Sequence, residues 1–151
     1  LGGSLYERFS KFLMEAWNSH GIYYSLMRTT VIQDCPFLGR QFFAFDWAVD
    51  AYLLRHGEIL RARSGLFVFA TDGYSNSSST KWKTYDIWER LMPLYRFSWI
   101  MIKFSSCLSA REFVDIFFSL FRLNASAIYM RFRFRLTGWL RCLSERRIWI
   151  N

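Results

Sequence analysis

Hydrophobic positions change period several times along the chain. Leu5, Phe9, Phe12, Leu13 and Trp17 recur at helical spacing, with Glu7, Arg8, Lys11 and Glu15 on the other side. Ser4 and Glu7 stand three apart at the head of this run, the pattern of a capping box. A helix over about 5–17 is expected, ended by Asn18 and Gly21. Tyr23 to Ile32 reads as an extended strand before the turn at Asp34-Cys35-Pro36. Gln41 to His56 is helical again and closes at Gly57. Leu66 to Thr71, bounded by Gly65 and Asp72-Gly73, is a short apolar run that suits a buried strand.

Residues 73–80 are small and polar and form the one linker-like stretch. They divide the chain into an N-terminal lobe, 1–72, and a C-terminal lobe, 81–151. The second lobe opens with a short helix, about Tyr85 to Met92, stopped by Pro93. Leu94 to Phe104 alternates aromatic and other side chains and reads as a strand. Ser109 and Glu112 form a second capping box, and Phe113, Val114, Phe117, Leu120 and Phe121 line one face of the helix behind it. Asn124, tolerant of the left-handed conformation, is the expected stop.

The strictest pattern comes last. Ile128, Met130, Phe132, Phe134 and Leu136 alternate with Tyr129, Arg131, Arg133 and Arg135, a period of two that predicts a strand with one buried face. The expected fold is therefore α+β. The C-terminal lobe is a helix packed on a short antiparallel or mixed sheet, and the N-terminal lobe is helical with short strands.

Charge turns this pattern toward a partner. The formal net charge is +8, carried by 20 basic and 12 acidic residues. Residues 122–151 hold seven Arg and one acid, Glu145, so most of the net charge lies in the last fifth of the chain. A one-sided Arg field implies a polyanion. On a strand, Arg131, Arg133 and Arg135 would stand in a line about 6.5–7 Å apart, near the spacing of successive phosphates. Tyr129 would stack on a base or sugar, and Arg122, Arg141, Arg146 and Arg147 would extend the surface. High Arg content with 21% aromatic residues favours structured RNA over duplex DNA. No DNA-binding motif is visible.

Other classes find little support. No Cys or His spacing suits a metal, and no phosphate loop or nucleophile elbow is present, so neither an enzyme nor a cofactor is expected. Asp46 and Asp50 stand at i and i+4 on a predicted helix and read as a solvated face near Arg55. Cys35, Cys107 and Cys142 are odd in number and widely spaced, which suits reduced residues. The best candidate for a membrane span, Leu91 to Ala110, is interrupted by Pro93, Arg96 and Lys103, so no membrane span is expected.

Residues 109–147, and the string Arg122 to Gly138 in particular, resemble the C-terminal domain of the small-subunit ribosomal protein three family. Leu123-Asn124 stands where that family ends its helix in Leu-Gly, and Ala127-Ile128 where Gly-Ile leads into a strand. Arg135-Leu136-Thr137-Gly138 matches its Arg-Leu-x-Gly signature without a gap, Phe134 replacing the preceding Gly. In the N-terminal lobe the resemblance is limited to a degenerate RNA-binding-domain-like strand region lacking the Gly-x-x-Gly loop. The resemblance implies a structural constituent of the small ribosomal subunit, bound to ribosomal RNA in the head near the messenger entry. Messenger RNA and neighbouring small-subunit proteins would be further partners. A short, Lys-poor, aromatic-rich form is similar to proteins encoded in protist mitochondrial genomes, which implies the mitochondrial matrix. The alternative expectation is a non-catalytic accessory subunit of a respiratory or ATP synthase complex in the inner membrane.

Overall fold

The computed structural model describes residues 1–18, 26–40, 42–59 and 86–147, with backbone alone at 134–136 and 138–147. These form six α-helices: α1 (Leu5–Glu15), α2 (Thr29–Gln33), α3 (Phe45–His56), α4 (Ile87–Leu91), α5 (Tyr95–Phe104) and α6 (Ala110–Arg147). Short 3₁₀ turns follow α1 and α5.

Both capping boxes form. The Ser4 hydroxyl accepts from the Glu7 N–H at 3.2 Å, while the Glu7 carboxylate accepts from the Ser4 N–H at 2.8 Å. The Glu112 carboxylate likewise accepts from the Ser109 N–H at 3.0 Å, which starts α6. At α4 the Asp86 carboxylate caps the helix by accepting from the Glu89 N–H at 2.8 Å.

α3 occupies the centre. Seven of its residues from Trp47 to Leu54 are buried, and a helix apolar nearly all round belongs inside a bundle. α1 lays Phe9, Phe12 and Leu13 against it, and α5 adds Phe97, Met101 and Phe104. Edge-to-face ring contacts tie the three together: Phe12 to Phe97 at 6.2 Å, Trp47 to Phe97 at 5.7 Å, and Trp17 to Trp47 at 5.0 Å. α6 closes the cluster with Ile116, Leu120, Leu123 and Ala127. Residues from before and after the 60–85 segment thus share one hydrophobic cluster.

The expected sheet is not there: among the described residues there is no strand. Residues 95–104, read as a strand, are α5. Their buried positions Phe97, Ser98, Met101 and Phe104 fall at steps of one to three, as a helical face requires. The two-residue alternation misled because Ile100 and Ile102 stand on its supposed polar side; a segment apolar nearly all round fits either period. Of the strand expected over 23–32, Leu26–Arg28 have no regular structure and Thr29–Gln33 are α2. The strand expected at 66–71 and the linker at 73–80 lie outside the described residues.

The largest correction concerns the end of the chain. α6 runs for 38 residues, about 57 Å, straight through the expected stop at Asn124 and the expected strand at 128–136. Asn124 does not cap. Its buried side-chain amide donates to the Leu120 carbonyl at 2.9 Å, one turn back, and to the Ser98 hydroxyl of α5 at 2.8 Å. Extending a helix already nucleated costs little, and Ala, Arg, Leu and Met are among the better helix formers. Arg residues near its C-terminus also oppose the helix dipole. A lone strand at 128–136 would have found no described neighbour to pair with.

Asp50 corrects another expectation. It does not lie on a solvated face; only 2% of its surface is exposed, and its Oδ1 has no hydrogen-bond partner among the described residues. Desolvation, helped by the neighbouring Asp46 carboxylate, pushes its pKa up to about 8. The folded protein therefore retains a proton that the unfolded chain, with its ordinary Asp pKa, releases. The stabilisation from neutral Asp50 is full below about pH 4 and is lost as the pH rises to about 8. Asp50→Asn, neutral at every pH, is expected to remove a destabilising slope of about 1.4 kcal/mol per pH unit across that window. Urea melts of both proteins at pH 5 and pH 8 measure this: the variant should gain stability relative to wild type at the higher pH, and an equal difference at both pH values would exclude it.

Candidate nucleic-acid interface

The residues expected to bind RNA all fall on α6 or its C-terminal end, so helix geometry decides which of them act together. Successive residues turn about 100°, which places Arg131 and Arg133 about 200° apart. The expected line of three guanidinium groups does not exist. Arg131 is half-buried and faces α4: its guanidinium donates to the Glu89 carbonyl at 3.3 Å and to the Arg90 carbonyl. It satisfies carbonyl groups at the end of a five-residue helix that has too few turns to satisfy them itself.

That short helix is held at both ends by charge. Arg96 pairs with Asp86 at 2.6 Å and with the buried Glu89 carboxylate at 3.5 Å, and Glu89 also accepts from the Phe43 N–H at 3.3 Å. The Glu89 backbone N–H and the Arg96 guanidinium together hold the Asp86 carboxyl below the ordinary Asp range. Arg131 thus belongs to the framework that joins α4 and α6.

Arg122, Tyr129 and Arg133 do come together. They stand at i, i+7 and i+11, which puts them on one face of the helix, and all three are exposed, Tyr129 by 65%. Arg111, eleven residues before Arg122 and also exposed, continues the same strip. Four side chains thereby mark a basic and aromatic strip about 33 Å long. Arg111 is the member that sequence reasoning misses, because a strand period gives no reason to connect it with Arg133. Between Arg111 and Arg122 lies Asp115, whose carboxylate accepts from the Tyr6 hydroxyl of α1 at 3.2 Å.

Arg122 also borders an open groove of about 590 Å³ between α1 and α6, lined by Ser10, Met14, Trp17 and Ser126 among others. Arg135, Arg141 and Arg146–Arg147 lie on the backbone of α6 beyond this strip, and their side chains lie outside the described residues. Guanidinium groups roughly 16 Å apart, as at Arg122 and Arg133, reach separate phosphates rather than adjacent ones. Spacing of that kind suits separated charges better than a run of adjacent phosphates, and Tyr129 adds an exposed ring to the strip.

By length and composition, residues Ala110–Arg133 of α6 could cross a membrane. Splitting off 128–136 as a strand hides this stretch from the sequence reading. Among the described residues no group of three His, Cys, Asp or Glu side chains is placed to hold a metal ion. Comparison of the chain with protein-family profiles, curated proteins and solved structures finds no match.

Two substitutions separate framework from strip. Arg131→Gln should destabilise the protein by about 1–3 kcal/mol, because the Glu89 and Arg90 carbonyls lose a charged donor that joins α4 to α6. Arg133→Gln, exposed and away from the core, should change stability by no more than about 0.5 kcal/mol. Thermal unfolding of both variants checks this; equal effects would contradict the assignment.

Proposed function

We propose that the protein is an RNA-binding structural component of a ribonucleoprotein particle. The observation that supports this most is the concentration of seven Arg against one acid over residues 122–147, on one continuous helix. Arg111, Arg122, Tyr129 and Arg133 form its exposed side over the body of the protein, and Arg135, Arg141, Arg146 and Arg147 follow further along the same helix. Bound RNA neutralises a field that would otherwise repel itself.

The particle is the small subunit of the mitochondrial ribosome. The sequence resemblance over 109–147 supports that finer statement; the helix–strand architecture of the resembled domain does not, since α6 is unbroken there. The protein contributes no catalysis in this role. It holds ribosomal RNA by ion pairing with phosphates and by aromatic stacking.

Filter binding of a structured RNA across a salt series tests the proposal. Replacing Arg122, Arg133, Arg141, Arg146 and Arg147 by Gln should weaken binding and flatten the dependence of log K on log salt, by about 0.7 for each phosphate no longer neutralised. Tyr129→Ala should cost about 1–3 kcal/mol with an unchanged slope, as removal of a stacking ring does. An unaltered slope in the multiple-Gln variant would exclude phosphate binding by this segment. Migration of the chain with detergent-extracted membrane complexes, instead of with a ribosomal particle, would favour an accessory subunit.

A further inference from the structure

Beyond the Arg strip, α6 carries a second unexplained surface. Val114, Phe118, Phe121, Ala125, Ile128 and Phe132 follow one another at steps of four, three, four, three and four. That alternation is the spacing of the apolar seam between two paired helices. All six are exposed, Phe121 by 66%. They centre about 150° around the helix from Ile116, Leu120, Leu123 and Ala127, the edge already used for the core. A second helix can lie along the seam without displacing α1, α3 or α5.

We propose that a second copy of this chain covers the seam, its α6 antiparallel to the first. Three features favour that occupant. First, antiparallel pairing about the midpoint between Phe121 and Ala125 sets Phe121 against Ala125, Phe118 against Ile128 and Val114 against Phe132 of the second copy. Each layer then joins a large side chain to a smaller one, and no seam residue is left over. Second, a parallel pair would bring two Arg-rich C-terminal segments side by side, whereas the antiparallel pair sends them in opposite directions. Third, the six side chains and the adjoining Phe117 would bury on the order of 1,200 Å² in total, the lower bound of a stable interface. A bilayer would have to accept Arg122 beside the middle of the seam. In the antiparallel pair Arg122 faces its own equivalent near the two-fold axis, so salt strengthens this association while weakening any binding of RNA.

Sedimentation equilibrium of the full chain, freed of RNA at high salt, tests the pairing. The expected result is twice the chain mass at micromolar concentration. Phe121→Asp, an exposed substitution that leaves helicity intact, should weaken association roughly 30-fold or more. Ala125→Glu should do the same, Arg133→Gln should not, and Arg122→Gln should tighten it. A wild-type chain of single mass would overturn the proposal, as would association of any order that survives both Phe121→Asp and Ala125→Glu. Binding of a monomeric wild-type chain to phosphatidylglycerol vesicles, abolished in Phe121→Asp, would assign the seam to a bilayer and overturn it too. An unaltered salt slope in the multiple-Gln variant would exclude phosphate binding by this segment and still leave a dimer of the wild-type chain in place, so the two proposals fail separately.

Discussion

Everything that the surface of α6 presents depends on how its inner edge is seated. Ile116, Leu120, Leu123 and Ala127 pack into the cluster formed by α1, α3 and α5, and the amide of Asn124 locks the register by donating to Ser98. Burial of this apolar edge supplies the driving force, while the hydrogen bond adds direction. A rotation of the helix by one residue would bury Phe117 or Phe121 and break the hydrogen bond to Ser98. With the register set, the Arg111–Arg122–Tyr129–Arg133 strip and the Val114–Phe132 seam run side by side on the exposed surface, their centres about 80° apart around the helix.

Arg131 marks where this seat ends. It is the last described α6 side chain that returns to the body, through carbonyls of α4, and the exposed residues Phe132 and Arg133 follow it. α4 in turn depends on Asp86, Glu89 and Arg96, a charged group spanning exposed and buried positions. Polar chemistry inside this small protein therefore serves positioning. Asp50, buried on α3 near the Asp46 carboxylate, is the exception and carries a stability cost as the pH rises.

The helices that begin with a side-chain cap were legible in the sequence, because Ser4–Glu7 and Ser109–Glu112 are local signals that tertiary packing did not override. Residues 95–104 and 128–136 were not. The first is apolar on both sides of its alternation, so periodicity alone cannot separate strand from buried helix. The second alternates strictly but continues a helix already nucleated and seated at 110–127, which leaves its apolar residues Ile128 and Phe132 exposed. Asn124 was misread because its side-chain type allows a stop, while its use as a buried donor to Ser98 depends on a neighbour 26 residues away. The basic character of the C-terminal segment was legible from composition. Its geometry was not: the strand reading grouped Arg131 with Arg133, and the helix separates them and joins Arg133 to Arg122 and Arg111. The resemblance at 109–147 likewise rested on the order of residues, which a continuous helix keeps while removing the strand that the resembled domain would have.

The continuity of α6 through residues 124–136 is thus the central physical claim, and ¹³Cα chemical shifts measure it residue by residue. A continuous helix predicts downfield displacement from random-coil values at every position from Asn124 to Leu136, without interruption. Upfield values over Ile128–Leu136, or a break at Asn124, would contradict it and restore a strand with its three Arg in line.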